Sequence, residues 1–294
     1  MTTGDYLALW LEAYVFPFRR PSTVACYRRA IGSLPDTLRS MPLEQVTGLH
    51  LQAAINAQAV RHPRAAQLTY TMLHVAFGRA RLLHMIPFNP ADGCIKPLHK
   101  PRKAAILTAD QLRKYLDAAR GGDCYPLLLL AATLGLRRGE AMGLTWAAVD
   151  FAQGTVAVTQ QRIYSPGHGY VIAPLKTHSS NRVLPLPAAV ADELIQWRRG
   201  QRVLSAFVVD CTTNALYKAH RAALAAAQLP PCTLHGLRHS FATMAAGSGT
   251  TIKVLQVLLG HSTYKLTADL YADHLRSDLF GADVARVAGL CGLV

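Results

Sequence analysis

The sequence predicts a mainly α-helical fold that carries one small antiparallel β-sheet. Apolar residues recur at helical spacing along most of the chain, whereas strand-like stretches are confined to residues 155–187. The chain has 294 residues, 51% of them hydrophobic, which is enough to build packed cores. Because a single core usually serves about 100–200 residues, we expect two domains.

Residues 1–95 are predicted to form a small helical bundle with basic edges. Its four helical patterns are "GDYLALWLEAYV", "PSTVACYRRAI", "TGLHLQAAINAQ" and a long stretch over about residues 63–84. Thr47 is placed to cap the third of these helices. The turn-forming segment "PFNPADG" then closes the bundle.

A linker is predicted at residues 96–105. The segment "KPLHKPRKAA" holds four basic residues and two prolines, which favours an extended, charged connection. Its charge indicates contact with a polyanion, and a plain solvated connector is the alternative.

The second domain, residues 106–277, is predicted to be α+β. It opens with "TADQLRKYLDAA", where Thr108 and Gln111 form a capping-box pattern, and continues into a buried helix around Leu127–Leu130. Three strand candidates follow, "TVAVTQQ", "GYVIAP" and "RVLPLP", before helices resume at about residue 188. A last segment, residues 278–294, has few charges and is predicted to be a helix that packs on a neighbouring protomer or on its own domain.

The charge balance favours a nucleic-acid partner. The chain carries 31 basic and 17 acidic residues, a net charge of +14, and the excess is present in both predicted domains. An anionic membrane surface is a weaker explanation for this charge. Six cysteines without a C-x-x-C pair, no signal-peptide pattern, and apolar runs shorter than the ~20 residues of a membrane span predict a cytoplasmic protein without a membrane partner.

Several polar residues stand out in segments that are otherwise apolar. Arg137 lies in "LGLRRGE" at the start of a predicted helix, with Glu140 placed to orient it, and Lys176 lies in a tight turn between two strands. His261 follows a helix end in "LLGHS", and Tyr271 is placed on the next helix. Taken singly, each has an ordinary structural explanation as a surface, turn or core residue.

The segment "HGLRHSFAT" is the most informative stretch of the sequence. His235, Arg238 and His239 share one face of a predicted helix. The spacing of His235 and His239 is also that of a zinc-binding helix. However, Gly236 stands where such a motif needs glutamate, and no third ligand is indicated.

Together these residues suit one kind of chemistry. Arginine, lysine and histidine side chains are cations or hydrogen-bond donors, and a phosphoryl transition state spreads negative charge over its oxygens. Arginine binds such oxygens through two parallel hydrogen bonds, and a tyrosine beside them supplies a nucleophile.

In this order the motifs resemble the tyrosine recombinase (phage integrase) family. The resemblance is carried by "LGLRRGE", a lysine on a β-turn, "HGLRHSFAT", "LLGHS" and a tyrosine ten residues after His261. It covers almost the whole chain. It implies an N-terminal helical core-binding (SAM-like) bundle that binds DNA, followed by an α+β tyrosine-recombinase catalytic domain.

The resemblance implies that this chain cleaves and rejoins DNA as a site-specific recombinase. Tyr271 would attack the scissile phosphate and form a 3′-phosphotyrosyl bond, while Arg137 and Arg238 would bind the non-bridging oxygens. The tyrosine ester preserves the energy of the broken bond, so no ATP is needed. Because cationic side chains take the place of a metal ion, the resemblance implies no cofactor.

Supporting roles are implied for the other candidates. Lys176 would protonate the leaving 5′ oxygen as a general acid, and His261 would donate to the phosphate. His235 would hydrogen-bond the phosphate or assist proton transfer from the tyrosine. Glu140 and His239 would hold these groups in place without contacting the phosphate themselves.

The chain departs from the family pattern in small ways. Leu134 stands where many members have threonine, and the ten-residue spacing from His261 to Tyr271 is one of at least two that the family uses. An arm-binding module such as some phage integrases carry is not expected at the N-terminus. None of these departures removes a catalytic group.

The implied partners are double-stranded DNA recombination sites, around which the two domains of each chain would form a C-shaped clamp joined by the basic linker. The resemblance also implies a homotetramer on two such sites that exchanges strands through a Holliday junction. Integration or excision of a phage or mobile element fits this activity, and accessory DNA-bending or directionality factors are compatible with it.

The main alternative is a non-catalytic DNA-binding regulator or an inactive relic, which would not need Lys176, His261 and Tyr271 together. An RNA-binding or membrane-surface protein would explain the charge alone. A type IB topoisomerase shares the tyrosine chemistry, but the chain is short for that family.

Overall fold

A computed structural model describes residues 1–99, 105–165, 167–175, 177–201, 205–265 and 267–268. The chain divides into two compact units, Met1–Arg102 and Lys103–Val294. Four expectations fall wholly or largely outside the described residues. They concern the centre of the linker, Lys176, Tyr271 and the tail 278–294.

The first unit is a helical bundle. The core of this unit lies around helix α5 (Pro63–Leu82), whose buried residues include Met72 and Phe77. Thr47 caps helix α4 (Gly48–Arg61) as predicted, since its hydroxyl accepts from the backbone N–H of His50. The helices are α1 (Thr3–Trp10, continued by a π-helical segment Leu11–Val15), α2 (Pro21–Gly32), α3 (Asp36–Arg39), α4 (Gly48–Arg61) and α5 (Pro63–Leu82), with a 3₁₀ turn at Leu43–Gln45.

The second unit surrounds α7 (Tyr125–Thr133), a helix whose apolar residues are almost all buried. The capping box predicted for Thr108 and Gln111 is present at the start of α6 (Ala109–Ala119). Among the helices described in both units, none has the length and apolar character that a membrane crossing requires. The helices of this unit are α6 (Ala109–Ala119), α7 (Tyr125–Thr133), α8 (Arg138–Gly143), α9 (Ala188–Gly200), α10 (Thr213–Ala226), α11 (Leu234–Gly247) and α12 (Ile252–Leu259), with 3₁₀ turns at Trp146–Ala148 and His178–Ser180.

Two small antiparallel sheets stand where the sequence predicted one. The described strands form a three-stranded sheet in the order β1 (Val149–Asp150), β2 (Thr155–Val158) and β5 (Arg182–Pro185), and a hairpin of β3 (Gln160–Ser165) with β4 (Gly169–Pro174). The hairpin is the one predicted around "SPGHG".

The predicted single strand "TVAVTQQ" is therefore wrong, because the chain changes sheet at Thr159. Val156 and Val158 of β2 enter the core, whereas β3 passes directly over α8. Gly143 permits that approach, since an added Cβ there would lie 2.8 Å from the backbone nitrogen of Arg162.

The strands on either side of Lys176 also differ from the expectation. They were predicted to flank a tight turn, but β4 pairs with β3 and β5 pairs with β2. The segment between them connects two sheets rather than closing a hairpin. Its described part ends in the 3₁₀ turn that leads into Arg182.

Candidate active site

A turn at Gly135 positions Arg137 in the site. Gly135 has a φ of +64°, and an added Cβ would lie 2.6 Å from Cδ1 of Phe241, so the turn requires glycine. Arg137 is the N-cap of α8, and it donates two hydrogen bonds to the carboxylate of Glu140. The Arg137 backbone N–H donates to Oε2 of Glu140 at 3.0 Å, and Nη1 donates to Oε1 at 2.6 Å.

Helix α11 supplies the histidines and the second arginine. Thr233 caps it, accepting from the N–H of Gly236 at 2.9 Å, so the helix begins directly before His235. The rings of His235 and His239 meet edge to face, with centroids 4.6 Å apart. Arg238, on the same helix, is only 1% exposed.

Three arginines converge on the C-terminal end of α12. The last carbonyls of a helix lack partners within it, and the helix dipole makes this end negative, so guanidinium groups suit it. The end is closed by Gly260, whose φ is +60°. Three consecutive carbonyls accept from three different arginines: Leu258 from Nε of Arg182 at 2.8 Å, Leu259 from Nη2 of Arg238, and Gly260 from Nη2 of Arg137 at 2.9 Å.

His261 follows this junction directly and is buried. Its Nδ1 lies 3.0 Å from Oγ1 of Thr267. Burial and the charges of Arg238 and Arg137 lower the pKa of His261 to about 4. At neutral pH His261 is therefore an uncharged ring with one N–H to donate.

The same charges act on the other groups of the site. Partial desolvation, His239 and the two arginines lower the pKa of His235, although this residue is exposed. Burial and the charge of Arg137 lower the pKa of Arg238 to about 9, which leaves its guanidinium charged at neutral pH. Burial disfavours the Glu140 carboxylate, but Arg182 and Arg137 outweigh this and hold its pKa below the ordinary value.

The fold thus brings six of the predicted residues into one cluster drawn from separate segments. Lys176 and Tyr271 are the two that lie outside the described residues. Within the described part of the chain, no group of three or more His, Cys, Asp or Glu side chains is arranged to hold a metal ion. The six are Arg137, Glu140, His235, Arg238, His239 and His261.

Sequence reasoning missed Arg182 and Ser180. Arg182 donates to Oε2 of Glu140 at 3.0 Å, and Ser180 Oγ lies 3.5 Å from Nη1 of Arg137. A signal for Arg182 was present in "RVLPLP": strand alternation places it on the same face as Leu184, which is buried. No comparable signal marked Ser180.

The arrangement can bind an anion. Two guanidinium groups and two neutral imidazoles lie together, and one carboxylate, Glu140, lies among the arginines with both oxygens already occupied. Such a set of fixed donors stabilises negative charge spread over several oxygens.

This chain is similar to known proteins over most of its length. The model of the phage integrase family matches residues 105–277. A XerC-like tyrosine recombinase from Caldanaerobacter subterraneus subsp. tengcongensis is 26% identical over 310 residues, which cover 92% of this chain and 79% of the relative.

Two solved structures share the fold. The Tn1549 transposon integrase, in complex with a circular intermediate DNA, has a TM-score of 0.80 at 22% identity and covers 98% of this chain and 100% of that chain. A lambda integrase tetramer bound to a Holliday junction has a TM-score of 0.71 at 20% identity, with 95% and 79% covered. At these identities the likeness concerns the architecture.

Proposed function

The chain belongs to the phage integrase family, and we propose that it is a site-specific DNA recombinase of a phage or mobile element. The observation that carries this proposal is the convergence of Arg137 and Arg238 on the end of α12, directly beside His261 and close enough to His235 to lower its pKa. A phosphodiester presents the negative oxygens that such donors recognise.

Arg137 and Arg238 form the proposed phosphate clamp. Each guanidinium has five N–H groups. Arg238 is only 1% exposed and uses one on the carbonyl of Gly135 and one on that of Leu259; we propose that its remaining donors meet a ligand oxygen when DNA is bound. The Arg137 side chain is one-third exposed, so its guanidinium is accessible from outside.

The proposed reaction is a transesterification. The Tyr271 oxygen forms a bond to the scissile phosphorus, and the bond from phosphorus to the 5′ oxygen breaks. Lys176 gives a proton to that leaving oxygen, and a 3′-phosphotyrosyl ester remains on the DNA. Attack on the ester by a 5′ hydroxyl from the partner strand reverses these steps and joins the new strand.

The neutral histidines fit two tasks in this scheme. His261 donates its free N–H to a phosphate oxygen, while its Nδ1 faces Thr267. His235, uncharged at pH 7, hydrogen-bonds the phosphate or takes the phenol proton of Tyr271. A phenol has a reference pKa near 10, so the nearby guanidinium charges help to stabilise the developing phenolate.

The partner is double-stranded DNA, bound by both units, residues 1–95 acting as the core-binding domain and residues 106–277 as the catalytic domain. The excess of basic residues in both supports this assignment. Strand exchange needs two sites and four active centres, and the lambda integrase of the Holliday-junction complex is a tetramer. We propose a homotetramer on DNA for this chain as well.

Covalent trapping tests the proposal. Nicked duplexes that tile the ends of the encoding element are incubated with wild-type protein and with Tyr271→Phe in EDTA, without ATP. We expect a protein–DNA adduct on denaturing gels for the wild type only. Tyr264→Phe, which changes an exposed tyrosine seven residues away, is the matched control and should form the adduct.

Each outcome has a distinct meaning. An adduct from both wild type and Tyr271→Phe would show that another tyrosine is the nucleophile. Tight, salt-sensitive binding of a duplex with no adduct would favour the non-catalytic regulator or relic.

The role of Lys176 needs its own substrate. A 5′-bridging phosphorothiolate leaves as a thiolate that needs no proton. Lys176→Ala should therefore cleave the ordinary site slowly and the sulfur-substituted site at nearly the wild-type rate. Equal defects on both substrates would remove the general-acid role from Lys176.

A further inference from the structure

Arg182 is a buried arginine whose whole donor set is directed inward. Its Nη2 donates to Oε2 of Glu140 at 3.0 Å, its Nη1 to the carbonyl of Ser180 at 2.9 Å, and its Nε to the carbonyl of Leu258 at 2.8 Å. The side chain is 4% exposed. Every guanidinium nitrogen thus has a protein partner, so Arg182 does not act on a substrate directly.

Glu140 lies between Arg182 and Arg137. One of its oxygens accepts from Nη1 of Arg137 at 2.6 Å, and the other accepts from Arg182. Its side chain is 2% exposed, so solvent does little to screen these charges. Two guanidinium groups and one carboxylate give this trio a net charge of +1.

The net charge of this group changes if Arg182 is absent. The buried Glu140 carboxylate would then be paired with Arg137 alone, and the pair would be neutral. A phosphate approaching Arg137 would meet the carboxylate's repulsion together with the arginine's attraction. Arg182 therefore determines how much of the positive charge of Arg137 a ligand experiences.

We propose that Arg182 is a positioning and charge-balancing residue of the phosphate clamp. It neutralises Glu140, so that Glu140 can orient Arg137 without cancelling its charge. It also ties β5 to the carbonyl of Leu258, three residues before His261. This inference rests on the proposed recombinase function, because the clamp is observed through cleavage of a phosphodiester.

A second substitution that removes the Glu140 carboxylate should partly rescue the Arg182 defect, and this rescue distinguishes charge balance from a purely structural role. Arg182→Gln lowers the charge of the trio to zero, whereas Arg182→Gln combined with Glu140→Gln restores +1. The double variant has lost two native side chains, so a purely structural role predicts that it is the worse of the two. Charge balance predicts that it is the better one.

The experiment measures the rate of covalent adduct formation on a nicked duplex that the wild type cleaves. We expect Arg182→Gln to cleave about 100-fold more slowly and the double variant to recover about 10-fold of this loss. The second substrate has a methylphosphonate at the scissile position, which removes the negative charge. On it the defect of Arg182→Gln should shrink to about 3-fold or less, because a neutral centre depends less on the charge of Arg137.

Arg162→Gln is the matched control. Arg162 is also a strand arginine with little exposure, and it pairs with Asp210 at 2.6 Å, apart from Glu140. This variant should keep the wild-type ratio of rates on the two substrates. If Arg182→Gln fails to fold, as judged by thermal unfolding, Arg182→Lys is used instead, because it keeps the charge but lacks the planar guanidinium group. Arg182→Lys should cleave more slowly than the wild type but show the wild-type ratio of rates on the two substrates.

The proposal is overturned if the double variant cleaves no faster than Arg182→Gln, or if the Arg182→Gln defect is equal on both substrates. A wild type that forms no adduct on any duplex contradicts the recombinase function instead. The two failures are therefore distinguishable.

Discussion

The Arg137 guanidinium donates to the carbonyl oxygen of Gly260 at 2.9 Å. This bond joins the start of α8 to the end of α12, although the two residues are 123 positions apart in the chain. His261 follows Gly260 directly, so the same bond sets an arginine and a histidine of the proposed site relative to each other.

Gly260→Ala should damage the junction. The φ of +60° costs an L-residue about 1 kcal/mol or more, and the new methyl would lie 3.0 Å from Nη1 of Arg182 and 3.1 Å from the carbonyl oxygen of Ser179. We expect a loss of about 2–3 kcal/mol in the free energy of unfolding, measured with urea, and a cleavage rate reduced at least about 10-fold.

Gly249→Ala is the control for that change. Gly249 has a φ of +89°, but among the described residues no atom beyond its chain neighbours lies within 4 Å of its Cβ position. It should show the backbone penalty of about 1 kcal/mol and nearly normal cleavage. If both variants cleave equally well, the crowding at Gly260 has no part in holding the arginines.

Gly135→Ala tests the turn that delivers Arg137. With a φ of +64° and Cδ1 of Phe241 at 2.6 Å from the new methyl, we expect destabilisation of about 2–4 kcal/mol. Phe241→Ala removes the obstructing ring. In a double-mutant cycle the two changes should therefore couple by at least about 1 kcal/mol, with the double variant more stable than the sum predicts. Strict additivity would contradict the close contact.

The stability of the second unit should depend on pH through His261. Its pKa is lowered from 6.5 to about 4 on folding, so the unfolded chain binds more protons between these values. The free energy of unfolding should fall as the pH decreases from about 6.5 to about 4, by up to about 3 kcal/mol from this group. The groups that act on it are Arg137, Arg238, His235 and His239.

Urea unfolding at several pH values between 7.5 and 4.5 measures this effect. His261→Asn removes the titrating ring while the neighbouring histidines and carboxyl groups stay in place. Its stability should decline less steeply over that range than that of the wild type. Identical slopes would mean that His261 is protonated equally easily in both states.

A buried pair that supports α11 gives a fourth prediction. Nε2 of His220 lies 2.8 Å from the carbonyl oxygen of Cys232, which can only accept, so Nδ1 accepts from the hydroxyl of Tyr115 at 2.7 Å. Tyr115→Phe leaves that buried nitrogen without its donor and should cost about 1–3 kcal/mol of stability. Tyr164→Phe, at an exposed tyrosine, should change stability by less than about 0.5 kcal/mol. Equal effects of the two changes would contradict the Tyr115–His220 bond.

Much of the local structure could be predicted from the sequence. The helix starts at Thr47 and Thr108 were recognisable because capping depends on side chains within one turn. The break of "TVAVTQQ" at Thr159 was not predictable in this way. It depends on which strand each half pairs with, and those partners lie elsewhere in the chain.

The sequence by itself determined which side chains are present for chemistry and in what order, and that order carries the family resemblance. Only the tertiary structure decided that Arg182 joins Arg137 and Arg238, and that three arginines share the end of α12. Their partners there are backbone carbonyls, which every residue possesses and which leave no mark in a sequence. A helix end becomes a binding partner only when packing brings charged groups to its unsatisfied carbonyls, and that depends on contacts between distant segments.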